Sequence, residues 1–196
     1  MASETIPIAG QPASWLFTAA DLAAMPTHLP SGDIDFELDR GRLVLMVPPG
    51  HIHGGLQANL AIALGVQGQH AGHGRVFTEI GVVLARNPDT VVGPDVVFIT
   101  TAKLPVRESR EGYLETIPDL VAEIRSRNDS TPELDAKVAA YLAAGVRVVW
   151  VVDPAKKMIV DHRPGSEPQT LLEPDTLTLA DIIPGFRLSL ADFFRG

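Results

Sequence analysis

Apolar residues come in short blocks separated by Gly, Pro, Asn and Asp, and the spacing inside each block sets the element expected there. In DFELDRGRLVLM, apolar runs flank the polar turn Asp39-Arg40-Gly41, which predicts a hairpin with strands at 35–38 and 42–47. Leu56, Leu60 and Leu64 recur every four residues after the breaker Pro48-Pro49-Gly50, predicting a helix over 51–69 with one apolar stripe. Val- and Ile-rich runs at 75–78, 81–84, 95–99 and 119–124 each read as a strand, and the polar stretch 101–117 as a mobile loop.

Two helix starts are marked by capping chemistry. Thr18 with Asp21 predicts a short helix toward Met25, and Thr131-Pro132-Glu133 opens a longer one over 132–144 that Gly145 ends. The run 146–152 is apolar on both faces, as in a central strand, and Asp153-Pro154 turns the chain into a further strand at 158–161. A strand near 170–172 and a short helix at 190–194 finish the pattern.

These elements predict an α/β fold: a mixed central sheet from the 75–84 strands, 95–99, 119–124 and 146–152, flanked by helices near 51–69 and 132–144. The N-terminal hairpin and the C-terminal strands are expected to extend that sheet. Residues 1–16 read as a flexible polar arm and 17–196 as one domain, a size that suits a single well-developed core.

Composition narrows the chemistry. The chain lacks cysteine, which excludes disulfides, thiol catalysis and zinc–thiolate sites, so a metal would be held by carboxylate, carbonyl or imidazole groups and would be a hard ion such as magnesium or manganese. A net charge of -8 argues against broad nucleic-acid coating but not against a nuclease, because a bound cation offsets the carboxylates that hold it. The start MASETIPIAGQPASW has neither the basic region nor the apolar stretch of a signal peptide, so a cytoplasmic protein with no membrane segment is expected.

Within IPDLVAEIR, alternation puts Leu120, Ala122 and Ile124 on one face and Asp119, Val121, Glu123 and Arg125 on the other. A carboxylate at the end of an otherwise apolar strand is costly unless it is paired or holds a cation, and a salt bridge to a neighbouring arginine is the plain alternative. Of the candidate partners Asp89, Asp95, Asp119 and Asp153, Asp119 is about 13 Å along the same strand and reads as strand-start punctuation. Asp95 begins another strand and forms a workable two-carboxylate site with Glu123 if the strands are neighbours, with carboxylates expected about 4–6 Å apart. Lys137 borders the stripe Leu134, Val138, Tyr141 and Leu142, where a lysine either snorkels to water or turns toward a site. His51 and His53 in GHIHG resemble an amidohydrolase ligand pair, but the chain is short for that barrel, and they are expected to line or edge the cleft. No GxxxxGK[ST], GxGxxG or GxSxG motif is present, against a kinase, dehydrogenase or α/β-hydrolase.

FELDRGRLVLM, PPGHIH, GPDVVFI, PDLVAEIRS, LDAKVAAYLAAGVRVVWVVDP and PGFRLSLADFF, in that order from about Phe17 to Phe194, resemble a bacterial family of putative restriction endonucleases. That family, formerly a domain of unknown function, lies within the PD-(D/E)XK nuclease superfamily. The resemblance implies a restriction-endonuclease-like fold and magnesium- or manganese-dependent hydrolysis of phosphodiester bonds in DNA. It implies Asp95, Glu123 and the Ile124 carbonyl as metal ligands, Lys137 as the catalytic lysine, and a supporting role for Glu37. The superfamily pattern has a lysine two residues after the acid where this chain has Arg125; arginine stays protonated, so Lys137 would stand in while Arg125 holds a phosphate or pairs with an acid. Lys103, Arg107 and Arg110 in the 101–117 loop are the densest basic stretch and are expected to touch phosphates. A homodimer or higher homo-oligomer is expected from the restriction-type resemblance. The competing reading is a non-catalytic nucleic-acid- or protein-binding module that keeps the nuclease fold.

Overall fold

The computed structural model describes residues 15–29, 32–33, 35–46, 48–127 and 129–195. Most of the expected N-terminal arm, residues 1–14, lies outside the described residues. In chain order the elements are α1 (Ala19–Ala23), β1 (His28–Leu29), β2 (Gly32–Asp33), β3 (Asp35–Asp39), β4 (Arg42–Met46) and α2 (His51–Leu64). Then come β5 (Gly74–Thr78), β6 (Val82–Ala85), β7 (Thr90–Val92), β8 (Val96–Thr100), β9 (Leu120–Ile124) and α3 (Thr131–Ala144). The last are β10 (Val148–Asp153), β11 (Met158–His162), β12 (Gln169–Leu172), β13 (Thr176–Thr178), β14 (Arg187–Ser189) and α4 (Leu190–Phe193). No helix among the described residues is long and apolar enough to cross a membrane.

The central sheet has six strands in the order β12-β11-β10-β9-β8-β5 and is mixed, with β9 and β10 parallel and β8 antiparallel to β9. Consequently the carboxyl ends of β9 and β10 and the amino end of β8 share one end of the sheet. Helix α2 covers one face, where Leu56, Leu60 and Leu64 meet Phe98, Leu120, Ala122, Ile124 and Trp150. Each of those three leucines contributes about 1.5–3 kcal/mol by leaving water. Helix α3 covers the other, where Val138 and Tyr141 meet Val97, Val121 and Val149. The alternation expected in β9 is therefore observed: Leu120, Ala122 and Ile124 face α2, and Val121 faces α3.

The mixed α/β architecture agrees with the expectation, but the strand membership differs. The 82–85 strand and the N-terminal hairpin do not extend the central sheet; with β7 they make a separate four-stranded sheet ordered β4-β3-β7-β6. The chain leaves the first sheet through Glu79, at φ 54, and Gly81, where a Cβ would lie 2.4 Å from the Tyr113 ring. In β3, Leu38 faces a third apolar cluster with Ala19, Leu22, Val83 and Val91, and alternation turns its neighbour Glu37 the other way. That second sheet is what brings Glu37 to Lys137. The C-terminal strands divide: β12 extends the central sheet, whereas β13 and β14 pair only with each other.

Smaller differences have local causes. The long α3 helix is capped by Ser130, not Thr131, because Ser130 and Glu133 form a reciprocal capping box and Pro132 sits in the first turn. Gly145 ends the helix at φ 100, the left-handed conformation expected there. Helix α2 relaxes into a π-helical turn over Gly65–Gln69, where Gly68 abuts the Phe98 ring too closely for a side chain. The 101–117 stretch carries ordered structure: a 3₁₀ turn at Thr101–Lys103, and a return in which Leu114 bridges Val82 and Glu108.

Candidate active site

The register of β8 on β9 pairs Val96 with Ala122, so the next step outward sets Asp95 opposite Glu123. Facing positions in an antiparallel pair have Cα atoms about 4.5–5.5 Å apart, so the two acids are cross-strand neighbours. Asp95 is held on both oxygens. Its Oδ2 accepts the Ile124 N–H at 2.7 Å and its Oδ1 lies 2.9 Å from Nε2 of His53, in the first turn of α2. Since a carboxylate can only accept, His53 donates through Nε2; its Nδ1 is buried and has no hydrogen-bond partner among the described residues. Gln57, one turn further along α2, donates to the Asp95 carbonyl at 3.0 Å and to Glu79 at 2.6 Å.

Glu123 points toward α3, where Tyr141 donates its hydroxyl to Oε1 at 2.5 Å. Burial raises the Glu123 carboxyl to about 8; Asp95 and Glu37 push the same way, and Lys137 and the Tyr141 bond only partly offset them. Lys137, one helical turn before Tyr141, lies 3.1 Å from Glu37 Oε1 and 3.0 Å from Oε2, and Glu37 Oε1 also accepts the Gly93 N–H at 2.7 Å. Burial works against the Lys137 charge, but Glu123, Glu37 and Asp95 outweigh it and hold the ammonium protonated above its usual range. These contacts favour the charged form of Lys137.

The cluster thus joins Glu37 from β3, His53 from α2, Asp95 from the start of β8, Glu123 from β9, and Lys137 and Tyr141 from α3. Three carboxylates face one lysine, a surplus of two negative charges when Glu123 is ionised. No ready-made cage of three or more acidic or imidazole ligands exists among the described residues. The donor chemistry nevertheless suits a hard divalent cation: Asp95 and Glu123 are oxygen donors at cross-strand positions, and burial, with Asp95 and Glu37 beside it, disfavours the charged form of Glu123 until a cation is supplied.

Arg125 is engaged elsewhere. Its guanidinium donates to the Asp129 carbonyl at 3.2 Å and the Thr131 hydroxyl at 3.1 Å and lies 3.7 Å from Asp153. Asp89 is tied to Arg86 and the Ala19 N–H. Asp119, at the other end of β9 from Glu123, is a buried hub for Thr100, Lys103 and Arg147. Lys103 therefore sits on Asp119 at the far end of β8, with about 17 Å of strand between Thr100 and Asp95. Arg107 and Arg110 are exposed on the same loop. Tyr141 belongs to the α3 stripe; a tyrosine at a core position calls for a partner for its hydroxyl, and the packing supplies Glu123. Gln57 had no such signal.

Residues 20–191 match the family described as "Uma2: Putative restriction endonuclease". The chain belongs to that family. In fold it is similar to the crystal structure of a putative nuclease belonging to DUF820 from Anabaena variabilis, with a TM-score of 0.75 and 19% sequence identity, covering 91% of this chain and 98% of that one. A DrdV–DNA complex aligns with a TM-score of 0.35 and 16% identity over 74% of this chain and 14% of its own. None of the curated proteins compared with the chain matches it. Membership of the Uma2 family agrees with the resemblance drawn from the sequence motifs.

Proposed function

We propose that this Uma2-family chain is a magnesium- or manganese-dependent endonuclease that hydrolyses phosphodiester bonds in DNA. The observation that carries the reading is the meeting of Asp95 and Glu123 at one sheet end, beside a lysine that three carboxylates keep charged. Asp95, Glu123 and the Ile124 carbonyl would hold the cation, which supplies a polarised phosphate and a more acidic water. The protein's own residues set the stage. His53 and the Ile124 N–H fix both oxygens of Asp95, and Tyr141 fixes one oxygen of Glu123. Glu37 anchors Lys137, whose ammonium would stabilise charge that builds on the phosphoryl oxygens. Arg125 stands where the superfamily pattern has its lysine, but its contacts with Asp153, Asp129 and Thr131 give it a bracing role at the entry to α3.

The test is a cleavage assay on supercoiled plasmid, linear duplex and RNA with magnesium, manganese or EDTA, run beside the Glu123→Gln variant. Divalent-dependent cleavage lost in that variant supports the proposal. Tight binding with no cleavage under any metal would instead favour the non-catalytic module that Arg125 at the pattern's lysine position keeps in view.

A further inference from the structure

A cavity of about 230 Å³ opens at the same end of the central sheet as the acidic cluster, on its α2 side. Ile52, Leu56, Pro154 and Phe194 give it an apolar floor, and His51 and Lys157 stand at it as polar groups. Two links tie it to the site. His51 and Ile52 share the first turn of α2 with His53, which bonds Asp95, and Pro154 follows Asp153, which Arg125 contacts. The volume is below the roughly 300–1,000 Å³ that enclose a whole small-molecule ligand, so it suits one unit of a longer one.

Lys157 is distinctive in two ways. The chain has four lysines, and two of the others, Lys103 and Lys137, are committed to buried acids. The third, Lys156, leans on Asp153 at 3.6 Å, whereas Lys157 makes no ion pair among the described residues. It also holds φ 50 in the turn between β10 and β11, a conformation that glycine or asparagine adopts more readily. A free cation kept at a strained position beside an apolar floor, in a chain of net charge -8, matches a ligand unit with one negative charge and one flat apolar part.

We infer that this cavity is a nucleotide subsite of the nuclease proposed above: it takes one nucleotide of the DNA strand beside the cleavage point, with base or sugar on Ile52 and Phe194 and phosphate on Lys157. The inference rests on the nuclease reading and adds a position on the substrate to it. It also places a basic contact at the active-site end of the sheet, away from Lys103.

The experiment measures binding of the full chain to a fluorescein-labelled 20-base-pair DNA duplex in EDTA across a salt series, followed by cleavage with magnesium. Lys157→Gly relieves the backbone strain, so the fold is retained. Arg40→Gly is the matched control, because Arg40 is also an exposed cation at positive φ, 49, and lies outside the cavity. Lys157→Gly is expected to weaken binding roughly three- to tenfold and to make the log–log salt slope shallower by about 0.9, the share of one phosphate contact, with Arg40→Gly near the parent. Ile52→Ser is expected to weaken binding severalfold with the salt slope unchanged. Equal behaviour of Lys157→Gly and Arg40→Gly, or no effect of Ile52→Ser, would overturn the subsite while parent binding and cleavage still support the nuclease. A parent chain that neither binds nor cuts would overturn both.

Discussion

Tyr141 on α3 donates its hydroxyl to Glu123 Oε1 on β9 across 2.5 Å, with both side chains shut away from water. The pairing links the helix that carries Lys137 to the strand that carries the acid. Tyr141→Phe keeps the ring and deletes the donor, leaving a buried carboxyl oxygen without its partner. The expected loss is about 1–3 kcal/mol, read from urea unfolding of the metal-free protein at pH 7. Manganese affinity should fall as well, because Glu123 becomes harder to ionise. An unchanged midpoint and an unchanged affinity would show that the contact is incidental.

The metal-free protein should lose stability as pH rises from about 5 to 8. The Glu123 carboxyl stands at about 8 against an ordinary 4.5, so the folded state binds the extra proton across that window. A group raised in the folded state gives its full stabilisation below the unfolded value and loses it on passing through the folded one. The fall should be on the order of a few kcal/mol, should vanish in Glu123→Gln, and should shrink when manganese is added. Urea titrations at four pH values in EDTA settle it, and a flat profile for the parent chain would contradict the assignment.

Lys137→Ala should cut the cleavage rate about a hundredfold to a thousandfold, the usual cost of a lost charge contact in the transition state. Manganese binding should survive, since Lys137 is no ligand. The substitution also leaves Glu37 without its cation, so some stability should go with it. Arg125→Ala serves as the comparison. A larger loss of rate there than at Lys137, with folding intact, would move the role to the arginine.

Asp95→Asn should remove divalent binding while leaving the fold in place. The amide oxygen can still accept the Ile124 N–H, and the change in shape is small. Calorimetry with manganese reads the binding directly, and circular dichroism checks the fold. Retained affinity near the parent value would exclude Asp95 as a ligand.

Much of this was legible in the chain itself. The hairpin around Arg40-Gly41, the α2 stripe of Leu56, Leu60 and Leu64, and the two-faced alternation of β9 are local periodicities, set by backbone geometry within a few residues. The motif blocks identified the family, and alternation set Glu123 apart from the apolar face. What local pattern could not decide was partnership at long range. Glu37 reaches Lys137 across 100 residues only because the hairpin leaves the central sheet for another, and nothing in FELDRGRLVLM says which sheet it joins. Asp95 faces Glu123 because β8 and β9 are neighbours in one register, and His53 meets Asp95 because α2 lies on the same sheet end. Tyr141 looked like one more apolar position until packing turned its hydroxyl onto a buried acid. Periodicity reports which side of an element is buried; only the assembled layers decide which buried charge stands opposite which, because that choice is made by whole-element packing and strand register.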